Sequence, residues 1–461
     1  MKKTIQIKLI SHTKLDPQKL LFNVYKECYG NSKSEAGKEI DIEEKLFNTG
    51  HHTPFSHFNL NFQIKNVSIG DVIFGLHLVN PFYNSDQKSG SFGLRFYNEE
   101  DIDFIEDYIK GFWALKKSEI KAVIDYVKKS HETYQLNLPK AQNMAQELLK
   151  KERPYASDQF IEDRSEKIAQ EQLRIFIPSI FPTNLVYSIN LLSLAALYES
   201  SWNPVMRFLL DSMAAQVINK YPDLSFLFKA KKRKKNFWYP KMKEKKEGAV
   251  DFELKLKLMN YDLKFLKNAA SFIVPRENAM YEIDKLHYLP IFMNNNLKDL
   301  VVKVNLPIAT MSQDQRYRTI RRSRPVFTGD IYLSVIAKAL GLAKDARKIL
   351  VQWRSIYKNM DKTLATVLAP LGAMVEYTKK SSLNSICHEQ AGRLCWHNTR
   401  DIYELSRQLR SEIKERLGDT ELVKFFEPPC YRKGKCWRGP LYCGRDLINR
   451  QEENYFVKRL V

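Results

Sequence analysis

Residues 50–68 have the sequence GHHTPFSHFNLNFQIKNVS, in which a histidine-rich turn leads into a run of alternating apolar and polar residues. Leu60, Phe62 and Ile64 occupy every second position, and side chains at that spacing share one face of a β-strand. The alternation predicts a half-buried strand after the turn, as is typical of an antiparallel sheet that buries one face.

Helical patterns dominate the sequence around this strand. Residues 5–9 alternate like a first strand and lack the continuous apolar run of a signal peptide, so we expect a cytoplasmic protein. A helix is predicted through Leu20–Tyr29, and apolar residues recur at helical spacing from residue 103 to about 151. These patterns predict an α+β fold that is helix-rich and carries a mostly antiparallel sheet.

Length and charge limit the function classes. A chain of 461 residues with 44% hydrophobic residues is long enough for at least two packed cores, which excludes a disordered or fibrous class. The net charge of +21 favours a polyanionic partner such as a nucleotide, a phosphate or a nucleic acid. The most apolar stretch, residues 175–197, is interrupted by prolines and polar residues, so no membrane span is predicted.

The chain also shows signs of an internal repeat. Residues 229–247 contain ten basic and two acidic residues between two apolar-rich halves, which predicts a linker or an exposed hairpin. Each half contains a proline, a polar residue twelve positions after the proline and a third residue eleven positions after the polar one. These residues are Pro178, Asn190 and Ser201 in the first half, and Pro370, Ser382 and Arg393 in the second. We therefore predict a tandem duplication with a domain at 1–228, a basic linker at 229–248 and a second domain at 249–461.

Five stretches together resemble one family. They are residues 50–68, GLHLVNPFYNSDQKSGSF at 75–92, EQLRIFIP at 171–178, SQDQRYRTIRRSRPVF at 312–327 and GRLCWHNTRDIYELSRQL at 392–409. In order and residue type they are similar to the motifs of the flavin-dependent thymidylate synthases. The resemblance covers most of both halves and implies two tandem domains of that fold.

The resemblance implies an activity and its partners. It implies methylation of dUMP to dTMP with methylenetetrahydrofolate as carbon donor, reduced FAD as hydride carrier and NADPH as reductant. Members of this family are homotetramers with active sites between subunits, so a chain with two domains is expected to form a homodimer of tandem chains.

The resemblance also assigns residues to roles. In the first half, His51, His57 and Asn84 match flavin-binding positions, and Ser89 and Arg174 match positions that bind the nucleotide. In the second half, Arg316 and Arg318 match flavin-binding positions, and Arg393 matches the arginine that polarises the pyrimidine during catalysis. Arginine suits these roles because its planar guanidinium stays charged and binds phosphate or a base edge through two parallel hydrogen bonds.

Several family positions hold other residues. His77 stands near the place of the missing Arg-His-Arg motif in the first half and is predicted to be a packing residue. Ser201 replaces a late arginine, and Tyr317 replaces the central histidine of the second half. These losses leave open a catalytically degenerate relative that binds nucleotides or nucleic acid. Five arginines between residues 316 and 324 favour anion binding over a plain solvated face.

The losses differ between the halves. The first half lacks the Arg-His-Arg motif and the late arginine, whereas the second retains Arg316, Arg318 and Arg393. Because sites in this family combine residues from different subunits, complementary losses could leave hybrid sites intact. We therefore predict that Arg174 from one half faces a shared cleft with the three arginines of the other.

Five of the six cysteines lie near the C-terminus. Cys395, Cys430, Cys436 and Cys443 could supply the four thiolates that a structural zinc ion or an iron–sulfur cluster requires. Free thiols are the alternative. A disulfide scaffold is not expected in a cytoplasmic chain of this size.

Overall fold

The structure is a computed structural model, and it describes residues 4–29, 41–78, 83–87, 99–200, 202–229, 238–259, 299–417, 423, 426–428, 430–431, 442–443 and 459–461. It confirms a helix-rich α+β protein with antiparallel sheets. Among the described helices, none combines the length and the apolar composition that crossing a bilayer requires.

The strands form two sheets, and every described pairing between them is antiparallel. The first sheet has the order β1-β2-β4-β3, and the second has the order β5-β6-β9-β7 with β8 also paired to β9. The strands are β1 Gln6–His12, β2 Asn59–Ser68, β3 Tyr83–Gln87, β4 Pro182–Asn190, β5 Lys255–Leu258, β6 Leu300–Pro307, β7 Arg321–Arg322, β8 Val326–Ile331 and β9 Ala373–Ser381.

The helices cover the sheets and connect their strands. In the first half they are α1 Pro17–Tyr29, α2 Ile69–Asp71, α3 Glu99–Phe112, α4 Lys117–Glu152, α5 Asp158–Leu173, α6 Leu191–Glu199 and α7 Pro204–Lys220. In the second half they are α8 Ile308–Asp314, α9 Val335–Ala339, α10 Ala343–Asn359, α11 Lys362–Val367, α12 Leu383–Arg393 and α13 Arg400–Leu417.

The predicted strand after the histidine-rich turn is confirmed as β2. Leu60, Phe62 and Ile64 are all buried, as the alternation requires. The turn itself becomes a short 3₁₀ segment, Thr53–His57, whose Pro54 and Phe55 are buried.

The central strands of the two sheets end in the same way. Asn190 ends β4 and caps α6, because its side chain accepts a hydrogen bond from Ser193 N at 2.8 Å. Ser382 follows β9 and caps α12, because its hydroxyl accepts from Ser385 N at 3.4 Å. Each cap satisfies one of the unpaired amides that begin a helix.

The two halves pack against each other through backbone and side chains. Ser179 N donates to Ala369 O at 2.8 Å, and Leu371 N donates to Ile177 O at 2.8 Å. The Tyr126 hydroxyl of α4 donates to Leu368 O at 2.9 Å. Buried residues of both halves belong to one continuous hydrophobic core.

The described part of the basic stretch, residues 238–248, runs along the second half. Lys243 N donates to Phe327 O at 2.8 Å, and Phe327 N donates to Lys241 O at 2.8 Å, so this stretch pairs with β8. The division of the chain at 229–248 stays a prediction.

Candidate functional site

The candidate site is built around residues 313–318, which lie at the end of α8. Arg318 reaches across to β3 of the first half, where its Nη2 donates to the Ser85 hydroxyl at 3.2 Å. The centre of its guanidinium lies 4.7 Å from the centre of the Tyr83 ring. Arg318 therefore stacks on an aromatic face, a favourable placement for a cation.

His77 contacts the same two residues as Arg318 does, Tyr83 and Ser85. Its ring stacks on Tyr83 with centroids 4.9 Å apart, and its Nε2 is 2.9 Å from the Ser85 hydroxyl oxygen. Burial, with the charges of Arg318 and Arg316, lowers the pKa of His77 to about 3. The imidazole is therefore neutral at physiological pH, and its contacts with Tyr83 and Ser85 agree with the predicted packing role.

Arg393 lies on the other side of residues 313–318. Its Nη2 donates to Gln313 O, and its Nη1 donates to Asn398 Oδ1 at 3.4 Å. Its guanidinium lies 4.8 Å from the ring centre of Tyr317, and the His388 ring meets that tyrosine edge-on at 4.9 Å. The Tyr317 ring is thus held between a cation and an imidazole.

Arg318 and Arg393 have one feature in common. Arg318 Nε and Arg393 Nε are buried, and neither has a hydrogen-bond partner among the described residues. A buried donor without a partner costs about 1–3 kcal/mol, and more when the group is charged. An anionic or carbonyl-bearing ligand would satisfy such a donor.

A buried ionic network holds this site from below. The Asp314 carboxylate accepts hydrogen bonds from Arg322 Nε at 2.6 Å, Lys379 Nζ at 2.6 Å and the Tyr377 hydroxyl at 2.8 Å. Lys379 Nζ also donates to both oxygens of Glu389 at 2.6 and 2.7 Å. The network ties α8 and α12, the helices of Asp314 and Arg393, to strand β9.

The charges shift the two carboxyl groups in opposite directions. Burial alone would raise the pKa of Asp314, but the positive charges of Arg322 and Lys379 hold it below its ordinary value. Burial raises the pKa of Glu389 above its ordinary value even though Lys379 opposes that shift.

The network also explains part of the arginine run. Arg322 pairs with Asp314, and Arg321 pairs with Asp299 at 3.0 Å. The Arg324 guanidinium lies 5.4 Å from the Trp238 ring centre. These three arginines have structural partners. Arg316, which is exposed, and Arg318 are the members of the run nearest the site.

The remaining predicted residues lie in different settings. His51 and His57 flank the turn before β2 and are exposed, and Asn84 is exposed on β3 beside Ser85. Arg174 is buried where α5 ends. Burial raises the pKa of Tyr134, and the charge of Arg174 opposes that shift. Ser89 lies outside the described residues. The shared cleft of Arg174 with the other three arginines stays a prediction.

The predicted thiolate cluster is only partly described. Cys395, Cys430 and Cys443 are buried and form no disulfide, and Cys436 lies outside the described residues. Within the described part of the chain, no three side chains of His, Cys, Asp or Glu come together as metal ligands would. The four-thiolate metal site stays a prediction.

Sequence reasoning missed several contacts of this site. Tyr83 and Ser85 carried no motif signal, although Tyr83 directly precedes the matched Asn84. His388 lies outside the matched stretches, and its ring packs on Tyr317. The acidic members of the network, Asp314 and Glu389, lie inside or beside matched motifs but looked like ordinary helix residues.

Comparison with known proteins gives the following matches. Residues 8–223 match the family model described as thymidylate synthase complementing protein. A crystal structure of Thymidylate Synthase X from Helicobacter pylori with FAD and dUMP matches at 16% identity over 49% of this chain and 98% of that one, with a TM-score of 0.31. A second structure of that enzyme with FAD and dUMP matches at 16% identity over 50% of this chain and 100% of that one, also with a TM-score of 0.31. No curated protein matches the chain.

Proposed function

Through residues 8–223 this chain belongs to the family of thymidylate synthase complementing proteins, the flavin-dependent thymidylate synthases, and we propose that it methylates dUMP to dTMP. The observation that carries this proposal is the pair of buried Nε donors on Arg318 and Arg393 without hydrogen-bond partners among the described residues. Two guanidinium groups on either side of residues 313–318 suit a ligand that carries a phosphate and a pyrimidine.

The donor set also fits a flavin. Arg316 and Arg318, with His51, His57 and Asn84 of the first half, would hold the FAD, and Arg318 would also contact the phosphate of dUMP. When bound, the reduced flavin supplies the hydride that completes the new methyl group. The protein groups bind and orient: Arg393 would polarise the pyrimidine, and Arg174 and Ser89 would bind the nucleotide. Methylenetetrahydrofolate and NADPH complete the proposed set of reactants.

The two halves are proposed to descend from a tandem duplication. Their sheets have the strand orders β1-β2-β4-β3 and β5-β6-β9-β7, so equivalent strands occupy equivalent places. The halves are joined by the hydrogen bonds Ser179 N to Ala369 O and Leu371 N to Ile177 O. Residues 371 and 369 lie 192 positions after residues 179 and 177, so each bond is the counterpart of the other in the opposite half. Such a reciprocal contact is typical of a two-fold interface between identical subunits. We accordingly expect a homodimer of tandem chains.

Nucleotide binding by arginine variants tests the proposal. Arg393→Ala and Arg318→Ala each remove charge-assisted contacts, so each is expected to weaken dUMP binding about ten- to a hundred-fold in calorimetry. Arg321→Ala is the matched control, because its side chain is 73% exposed and pairs with Asp299. Unchanged dUMP affinity in both site variants would refute the proposed site.

Activity requires a separate measurement. The purified protein should carry a flavin absorption band, and its gene should rescue growth of a thymidine auxotroph. Arg393→Ala should abolish that rescue and Arg321→Ala should not.

A catalytically degenerate relative that binds nucleotides is the second candidate. It is favoured by Tyr317, which stands on the central histidine of the family motif and whose ring is already in contact with Arg393 and His388. A protein that binds dUMP but carries no flavin band and fails the rescue would establish this candidate.

A further inference from the structure

A large groove is lined by residues that take no part in the proposed nucleotide site. It has a volume of about 1170 Å³ and runs between residues 242–248 and one face of α10. Seven of its sixteen lining residues are Lys or Arg, and two are Glu. The groove therefore has a positive lining and far exceeds the size of a single phosphate.

Some of these cations already have partners and some do not. Lys243 pairs with Glu376 at 3.1 Å, and Lys245 pairs with Asp330 at 2.6 Å. Lys246 and Lys358 are exposed, and the side chain of neither makes a hydrogen bond or an ion pair with any described residue. These two lysines are available to an anion without the loss of an internal contact.

The wall of the groove is fixed in place. Arg354 Nη2 donates to Lys245 O at 2.6 Å, and Ala249 N donates to Asp330 Oδ1 at 2.8 Å. A Cβ atom on Gly248 would lie 2.1 Å from Gly329 O, so only glycine allows so close an approach to β8. A rigid wall lowers the entropic cost of binding.

The helical wall presents its cations along one face of α10. Arg347, Arg354 and Lys358 line the groove, and their spacings of seven and four residues correspond to about 10 Å and about 6 Å along the axis. A nucleic-acid strand carries a charge on every nucleotide, so such a row can meet successive phosphates.

We propose that this groove binds the phosphodiester backbone of a nucleic acid. The charge of the chain also favours an extended polyanion over a small one, because residues 229–235 of the sequence contain six basic residues in seven positions. The aromatic residue among its lining is Tyr357, which is buried and donates to Pro240 O at 2.7 Å. Without a stacking platform in the lining, binding depends on phosphates and not on base sequence.

Fluorescence anisotropy with a labelled 20-nucleotide single strand tests the proposal in the full-length protein. In the double variant Lys246→Ala/Lys358→Ala, loss of two phosphate contacts lowers the slope of log affinity against log salt by about 1.4. At 0.1 M salt the same loss corresponds to a fall of about 25-fold in affinity.

The matched control is Lys344→Ala/Lys348→Ala, which removes two exposed lysines of α10 that do not line the groove. It carries the same change in net charge and should retain most of the affinity. Equal losses in both double variants, or no loss in either, would overturn the groove as the binding site.

Competition identifies the ligand class. Unlabelled RNA or DNA should displace the probe, and the one that competes more strongly identifies the natural ligand. Displacement by poly-glutamate at equal charge concentration would show a general acidic-chain site and overturn the nucleic-acid assignment. Displacement by dUMP would place the strand in the nucleotide site and overturn it as well.

Discussion

Replacing Lys379 by methionine should reveal how much the buried ionic network contributes to stability. Lys379 is 5% exposed, and its ammonium lies 2.6 Å from carboxylate oxygens of both Asp314 and Glu389. Methionine has a similar length and no charge. Asp314 keeps Arg322 as a partner in the variant. Glu389 loses the ammonium whose charge opposes the burial-driven rise of its pKa.

The expected cost follows from that asymmetry. Removing one partner of a buried ion pair typically destabilises a protein by about 3–5 kcal/mol, because the remaining charge stays desolvated. Burial already raises the pKa of Glu389, and loss of Lys379 should raise that pKa further. The folded variant then holds a proton on Glu389 that the unfolded chain releases above its ordinary pKa. The unfolding free energy of the variant should therefore fall as pH rises, by up to about 1.4 kcal/mol per pH unit.

Urea unfolding followed by tryptophan fluorescence at pH 5, 6.5 and 8 measures this effect. The penalty of Lys379→Met should be smallest at pH 5, and the double variant Lys379→Met/Glu389→Gln should recover stability at pH 8. Lys303→Met is the control, because its side chain is 43% exposed and pairs with Glu376, so a cost of about 0–1 kcal/mol is expected. A cost below 1 kcal/mol, or one independent of pH, would refute this account of the network.

Three further outcomes are expected. In NMR spectra the His77 signals should not titrate between pH 8 and 5, because the pKa is lowered to about 3, and Arg318→Ala should raise that pKa. Gly372→Ala should destabilise the protein by about 1–3 kcal/mol in thermal melts, because the new Cβ would lie 2.8 Å from Ile175 O across the contact between halves. Gly111→Ala meets nothing within 4 Å and should not destabilise it. Gly392→Ala should weaken dUMP binding about 2- to 30-fold in calorimetry, because its Cβ would lie 2.1 Å from the Tyr317 hydroxyl and displace the ring beneath Arg393.

Local patterns predicted the elements well. Alternation alone predicts a half-buried strand after the histidine-rich turn, and the structure has β2 at Asn59–Ser68. The helical spacing from 103 to 151 corresponds to α3 and α4, which are separated by residues 113–116. Periodicity works here because each strand or helix buries one continuous face.

The site was less predictable because its contacts join distant residues. Lys379 Nζ meets an oxygen of Asp314, 65 positions earlier, and Arg318 reaches Ser85, 233 positions earlier. No spacing rule connects such pairs. The dense arginine run predicted anion binding, yet two of its five arginines pair with carboxylates of the protein, Arg322 with Asp314 and Arg321 with Asp299.

The reciprocal contact of residues 177–179 with 369–371 lies within one polypeptide. In a homodimer, every substitution at the two-fold axis changes both sides of the contact, because both subunits carry it. The two subunits also dissociate on dilution. When the two halves are covalently connected, each meets the other at an effective concentration of about millimolar order for short linkers. Dilution of the protein does not change that value. Each side of the axis can then vary alone: the Ser179 hydroxyl donates to Val367 O at 2.9 Å, whereas leucine occupies the matching position 371. One chain can thus evolve asymmetric halves while it keeps the paired arrangement.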